Sequence, residues 1–304
     1  MSAGLSELVQ TLFPDLVRVA PLRTSRDILL AVGAIYFALN WRERVQIEEN
    51  VGDLLGGDGE RARQVKREVF GHILEHYFEK LLVANRPLPF VRSFVRRRVH
   101  CEGLRLLDEA MAKGRGVLAV TAHWGAVELI PPVLFERGYP VSVILEAKTH
   151  RLRAALERMV AGTKAELIIA SRGDRVLEMV LDALSRGRVL VTQVDEVDAW
   201  RRRKSRTIEL FGTRLFFDHT LDFIAKRSGS PAVGIFCSRD RARSDGFRYS
   251  LSCEELVPDP AAADVATAAL KLWERHTLEA PEQWYQWKKW RSMKAQPSVP
   301  RAPS

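Results

Sequence analysis

From residue 116 onward, short apolar runs of strand length alternate with stretches of helical spacing, and few folds accept that rhythm. The first run covers residues 116–121, behind a helical stretch at 104–112 and a turn at 113–115. Further runs lie at 141–145, 167–170, 188–192 and 231–236, with helices predicted at 151–161, 175–185 and 221–227. A last strand, alternating in character, is expected at 247–251. Continuous apolar runs suit strands buried on both faces, and the intervening helices supply the crossovers that parallel strands need. The expectation is an α/β fold, with a mostly parallel central sheet flanked by helices. Sites in such sheets form at the carboxyl ends of the strands.

The part before residue 96 keeps a different period. Val65, Val69, Ile73, His76, Tyr77 and Lys80 fall near helical spacing, with Arg61, Arg63, Lys66, Arg67 and Glu68 between them. The glycine-rich segment 56–59 breaks the chain ahead of that helix, and Pro87 and Pro89 close the helical section. The longest uncharged stretch is 28–41, between Asp27 and Arg42. As a helix it would span roughly 21 Å, short of a ~30 Å hydrocarbon core. It reads as a buried or interfacial helix, or as a membrane-dipping anchor, rather than a full span. Glu7 and Asp15 interrupt the first apolar run, and no secretory signal is expected. The expected division is a helical N-terminal membrane-associating region over 1–95, an α/β core over 96–292 and a flexible tail over 293–304.

Lys and Arg number 47 against 38 Asp and Glu, a net charge of +9 that suits an anionic partner. A membrane surface, a nucleic acid and an acidic carrier all qualify. Against nucleic acid, no recognised binding motif is present and the cations are not gathered on one predicted element. A catalytically silent membrane scaffold is the other alternative. Cys101, Cys237 and Cys253 are odd in number and far apart, and neither they nor the histidines keep metal-ligand spacing. No metal site, disulfide framework or bound cofactor is expected, and the environment is read as reducing.

The chemistry concentrates where the run 116–121 ends in Ala122 and His123, followed five residues later by Glu128. Five residues turn a regular helix by about 500°, some 140° around the axis, so the two side chains would not stack on one face. They meet if His123 precedes the helix and folds back over its first turn. A carboxylate on one ring nitrogen would then fix the tautomer and leave the other nitrogen to accept a proton. Standing alone, the pair is equally a half-exposed histidine at a helix start.

Residues 114–128 resemble the first motif, H-x-x-x-x-D/E, of the lysophospholipid acyltransferase superfamily, and specifically the bacterial lipid A biosynthesis (lauroyl/myristoyl) acyltransferase family. The resemblance covers nearly the whole chain. Residues 42–51 and 60–80 are similar to that family's helical N-terminal region, and 189–196 to the strand carrying its acidic pair. Residues 209–213 resemble its F-F-G segment and 225–233 its helix-to-strand passage. Pro281, Glu282, Gln283 and Trp284 are similar to its closing P-E-Q-W motif. Ala126 and Val127 stand where the family usually has Asn-Trp, and Asp195, Glu196, Val197 and Asp198 replace its usual Asp-x-Asp. These departures bear on the acceptor more than on the chemistry.

The resemblance implies transfer of a fatty acyl group from acyl-carrier-protein or coenzyme A thioester to a hydroxyl of a lipid or glycolipid, without a covalent acyl-enzyme. His123 would be the general base and Glu128 its orienting carboxylate, with backbone amides after His123 as oxyanion donors. Arg172 is implied to hold a phosphate of donor or acceptor, though it is also readable as a surface arginine before a helix. Asp195 would support a catalytic group from behind or touch a substrate hydroxyl, or be a plain loop carboxylate. Gly212, Thr213 and Arg214 resemble the phosphate-binding G-T-R of glycerophosphate acyltransferases. The basic run 201–206 is either a solvated surface or a membrane or carrier contact. Trp284, Tyr285, Trp287 and Trp290 with Lys288, Lys289 and Arg291 suit an interfacial position or a packed helix face. The implied location is the cytoplasmic face of the bacterial inner membrane, peripheral or monotopic.

Overall fold

The computed structural model of the chain describes residues 5–57, 59–145, 153–154, 157–158, 160–161, 163–169, 175–196, 206–217, 219–240, 249–257 and 264–294. The N-terminal part is helical as expected: α1 (Leu5–Leu12), α2 (Pro14–Val19), α3 (Leu22–Leu39), α4 (Trp41–Leu54), α5 (Glu60–Asn85) and α6 (Leu88–Arg98). Asn40 divides the uncharged stretch between α3 and α4, ending α3 where its own N–H bonds the Tyr36 carbonyl. One face of α3, with Leu29, Gly33, Tyr36 and Phe37, is buried. Gly33 makes this possible, since a Cβ there would stand 2.2 Å from the Leu74 side chain on α5. Ile28, Ile35 and Leu39 on α3 are exposed, and so are Leu12, Val19 and Trp41 beside it. Among the described residues, no helix is long and apolar enough to cross a membrane.

Seven strands form the main sheet: β1 (Val99–Glu102), β2 (Val117–Thr121), β3 (Val141–Leu145), β4 (Glu166–Ile169), β5 (Val189–Gln193), β8 (Ala232–Arg239) and β9 (Tyr249–Glu255). Their order is β1-β9-β8-β2-β5-β3-β4. Neighbours are parallel except β8 and β9, so the sheet is mostly parallel, as expected. The five parallel strands from β8 to β4 belong to the runs legible in the sequence. β2 is buried at every position, as a strand covered on both faces must be, whereas burial alternates along β9. The covering helices include α7 (Leu104–Met111), α8 (Ile130–Glu136), α9 (Val176–Ser185), α10 (Thr220–Ser228) and α11 (Val265–Glu279). Asp264 caps α11 by accepting from the Thr267 N–H at 2.7 Å. Most of the helix expected at 151–161 lies outside the described residues.

A separate antiparallel hairpin, β6 (Arg206–Leu210) and β7 (Thr213–Phe217), turns at Phe211 and Gly212. Both turn residues have positive φ, 53° and 67°, as two-residue hairpin turns that match strand twist require. The chain closes with a 3-10 turn at Pro281–Gln283, another at Trp287–Lys289, and α12 (Trp290–Met293). One hydrophobic core runs from Leu5 to Met293. Trp284, Trp287 and Trp290 are fully buried in it, so these aromatics pack the core and are not interfacial. Their neighbouring cations pair with acids instead: Lys288 with Glu43, Lys289 with Glu196 and Arg291 with Glu49.

Candidate active site

The three central strands β8, β2 and β5 each carry a polar residue at or just past their carboxyl ends. His123 follows β2, Asp195 follows β5, and Arg239 is the last residue of β8. Because β2 and β5 are adjacent and parallel, their carboxyl ends bring together His123 and Asp195, which the sequence separates by 72 positions.

His123 is fixed at its main chain first. Its carbonyl accepts the Tyr285 N–H at 3.1 Å, and its N–H donates to Asp195 Oδ1 at 2.9 Å. The next residues zip onto the C-terminal segment: Trp124 forms a bridge with Trp284, and the Gly125 N–H donates to the Gln283 carbonyl at 3.0 Å. The P-E-Q-W resemblance thus has a physical content, since this segment clamps the histidine turn. Gly125 has φ 60°, and a Cβ there would lie 2.1 Å from the Cys237 carbonyl oxygen on β8. Only glycine admits that approach.

Beneath the turn lies a buried ion pair. Arg239 Nε and Nη2 donate to the two carboxylate oxygens of Glu79, each at 2.8 Å, and Nη2 also donates to the Gly125 carbonyl at 2.7 Å. Burial opposes the Arg239 charge, but the Glu79 carboxylate outweighs it and the net shift is upward. Helix α5 therefore holds the histidine turn through Arg239. Neither residue stands out in the sequence, because their 160-residue separation hides the pair.

The imidazole sits between two carboxylates. Nδ1 meets Asp195 Oδ1 at 2.9 Å, and Nε2 lies 3.3 Å from Glu196 Oε2. The second oxygen of Asp195 accepts the Trp284 indole N–H at 2.8 Å. Asp195, with no exposed surface, is thereby saturated with donors. Burial works to raise its carboxyl, but His123 and the Trp284 hydrogen bond prevail and hold it below the usual carboxylate range. For His123, burial favours the neutral ring; Asp195 foremost and Glu196 next overcome it, against Lys289, and the net shift is upward.

The carboxylate on His123 Nδ1 is therefore Asp195, which corrects the expectation that Glu128 orients the ring. The reason is the local geometry: after Gly125 the chain enters a 3-10 turn at Val127–Leu129, which carries Glu128 toward α5. There Glu128 Oε1 is 3.9 Å from both His76 Nε2 and Lys80 Nζ. His76 stacks on Tyr285, with ring centroids 3.7 Å apart, and Tyr285 meets His123 edge-on at 5.5 Å. Burial first, then Lys80 and other nearby cationic groups, hold His76 well below the ordinary imidazole value, so it is neutral at pH 7. Three of the backbone amides after His123 are not open to an oxyanion. The N–H groups of Trp124, Gly125 and Ala126 are spent on the carbonyls of Ala122, Gln283 and Cys237.

Of the other expected residues, Arg172 lies outside the described residues. Gly212, Thr213 and Arg214 form the turn and first residues of the hairpin, where exposed Arg214 faces Glu209 across the strands. They are not among the groups bonded to His123. Of the basic run, only Arg206 is described; it pairs with Asp222 and Asp264 at 2.9 and 2.7 Å and is a structural residue. Among the described residues, no group of three or more His, Cys, Asp or Glu could hold a metal ion.

A half-buried histidine locked to a buried aspartate at the carboxyl edge of a parallel sheet is equipped to take a proton at Nε2. The family model described as bacterial lipid A biosynthesis acyltransferase matches residues 9–292, which takes in every element above from the middle of α1 to the penultimate residue of α12. None of the curated proteins compared matches the chain.

Proposed function

Because the chain belongs to the bacterial lipid A biosynthesis acyltransferase family, and so is an O-acyltransferase of lipid A-like acceptors, we propose a mechanism built on His123 and Asp195. Asp195 holds the Nδ1 proton and the ring's orientation; Nε2 removes the proton of the acceptor hydroxyl as its oxygen attacks the acyl carbonyl. The donor is a fatty acyl thioester of acyl carrier protein or coenzyme A, and no acyl-enzyme forms. Arg172 holds a phosphate of donor or acceptor. The observation that carries this reading is the doubly anchored Asp195, bonded to the N–H and Nδ1 of His123 at 2.9 Å each.

The enzyme works from the membrane surface, on the cytoplasmic face of the inner membrane. The exposed apolar residues of the N-terminal helices support a peripheral seat, with Leu39 77% exposed at the end of α3 and Arg42 close behind. Mass spectrometry of lipids from cells carrying the active enzyme or His123→Ala tests the reaction. One acylated species is expected to disappear in the variant; an unchanged profile with folded variant protein would refute the mechanism.

A further inference from the structure

The amides of residues 124–126 are committed elsewhere, and a positive donor for the charge of a tetrahedral intermediate stands across Glu196 from the catalytic nitrogen. Glu196 bridges two groups: its Oε2 lies 3.3 Å from His123 Nε2, and its Oε1 accepts from Lys289 Nζ at 2.9 Å. The atoms between Nε2 and Nζ are therefore O–C–O, at hydrogen-bond distance on either side. A tetrahedral intermediate of acyl transfer presents the same sequence, acceptor oxygen, carbon and oxyanion, to a base and a positive donor.

Resting on the mechanism above, we propose that the Glu196 carboxylate occupies the place of the reacting centre, and that Lys289 is a catalytic residue which stabilises the oxyanion once substrates displace Glu196. The two carboxylates differ as this requires. Asp195 is fully buried and held by three donors, whereas the Glu196 side chain is 37% exposed and its leaving would uncover Nε2. In the step itself, the acceptor O–H proton passes to Nε2 as its oxygen bonds the carbonyl carbon. The carbonyl electron pair moves onto the oxygen beside Lys289. Collapse restores the carbonyl, breaks the C–S bond and returns the Nε2 proton to the departing thiolate. A lipid acceptor brings binding energy from its whole body to displace Glu196, and water does not, so the cap also disfavours thioester hydrolysis.

Five groups face the imidazole: Asp195 and Glu196 after β5, Lys289 and Tyr285 from the C-terminal segment, and His76 from α5. Two variants in the full-length enzyme separate the roles. Lys289→Met is expected to lower kcat about 100-fold, the usual cost of one oxyanion donor, with KM for the thioester little changed and Lys289→Arg partly restored. Glu196→Ala is expected to raise thioester hydrolysis without acceptor several-fold, which Lys289→Met does not. Proton NMR titration of the His123 ring, assigned with His123→Gln, should move downward in Glu196→Ala and upward in Lys289→Met. A kcat near wild type in Lys289→Met overturns the proposal, as does thioester hydrolysis unchanged in Glu196→Ala, or a His123 titration moved by neither. Retained transfer by His123→Ala would instead overturn the general-base mechanism.

Discussion

At the residue scale, the site turns on which carboxylate owns Nδ1 of His123. Asp195→Asn keeps the shape but surrenders the charge that fixes the tautomer, and kcat is expected to fall roughly 10²–10⁴-fold. The pH profile gives a second check. A base must be deprotonated, and His123 is raised above the ordinary value near 6.5, so kcat/KM should fall away on the acid side from a pKa above that value. Asp195→Asn should move this limb to lower pH, because the largest charge raising His123 is gone; a limb that stays in place would refute the pairing. Gly125→Ala places a methyl 2.1 Å from the Cys237 carbonyl and is expected to remove activity, measured as acyl transfer by protein of confirmed fold. His123 and Asp195 were both legible in the sequence, the first from its place after a buried run and the second from an acidic pair after another. Their partnership was not, because a spacing rule sees Glu128 five residues away and cannot see a neighbour 72 residues on. Lys289 was legible only as one cation in an aromatic cluster.

At the element scale, β2, β3, β4, β5 and β8 announced themselves because burial on both faces leaves no polar interruption. The hairpin of β6 and β7 escaped notice because it alternates weakly. Its one local signal was Gly212, read by resemblance as a phosphate loop and found instead in a tight turn with φ 67°. Short β1, half exposed at the sheet's edge, left no periodic trace at all. Between elements, Glu254 on β9 staples α11 by accepting from His276 at 2.7 Å and pairing with Arg275. The His276 hydrogen bond, then Arg275, push its carboxyl down to about 2 against the burial that would raise it. A carboxyl with a folded-state value below its ordinary one stabilises the fold above the ordinary value. That contribution is lost as pH falls from about 4.5 toward 2. Thermal melts of Glu254→Gln should therefore show a flatter loss of stability across that window than wild type; parallel curves would exclude the staple.

At the scale of the whole molecule, the charge excess and the helical N-terminus were readable as a membrane-facing design, but which side of α3 faces outward was not. A uniform apolar stretch carries no face; the packing of Leu29, Tyr36 and Phe37 onto the body, with Gly33 against Leu74, decides it. Ile35→Glu with Leu39→Glu should weaken co-sedimentation with anionic phospholipid vesicles at least tenfold, since two apolar contacts become charges, while activity on detergent-dispersed substrate persists. Vesicle binding that ignores the two changes would move the membrane seat elsewhere.

The clamp on His123 also sets when the molecule becomes reactive. Its aspartate is translated 72 residues after it, and the indole that anchors that aspartate 89 residues later still. A chain that has not yet reached Trp284 therefore lacks the bond that fastens the aspartate of its imidazole. Competence waits for the segment that carries Trp284 to fold back onto β2 and β5.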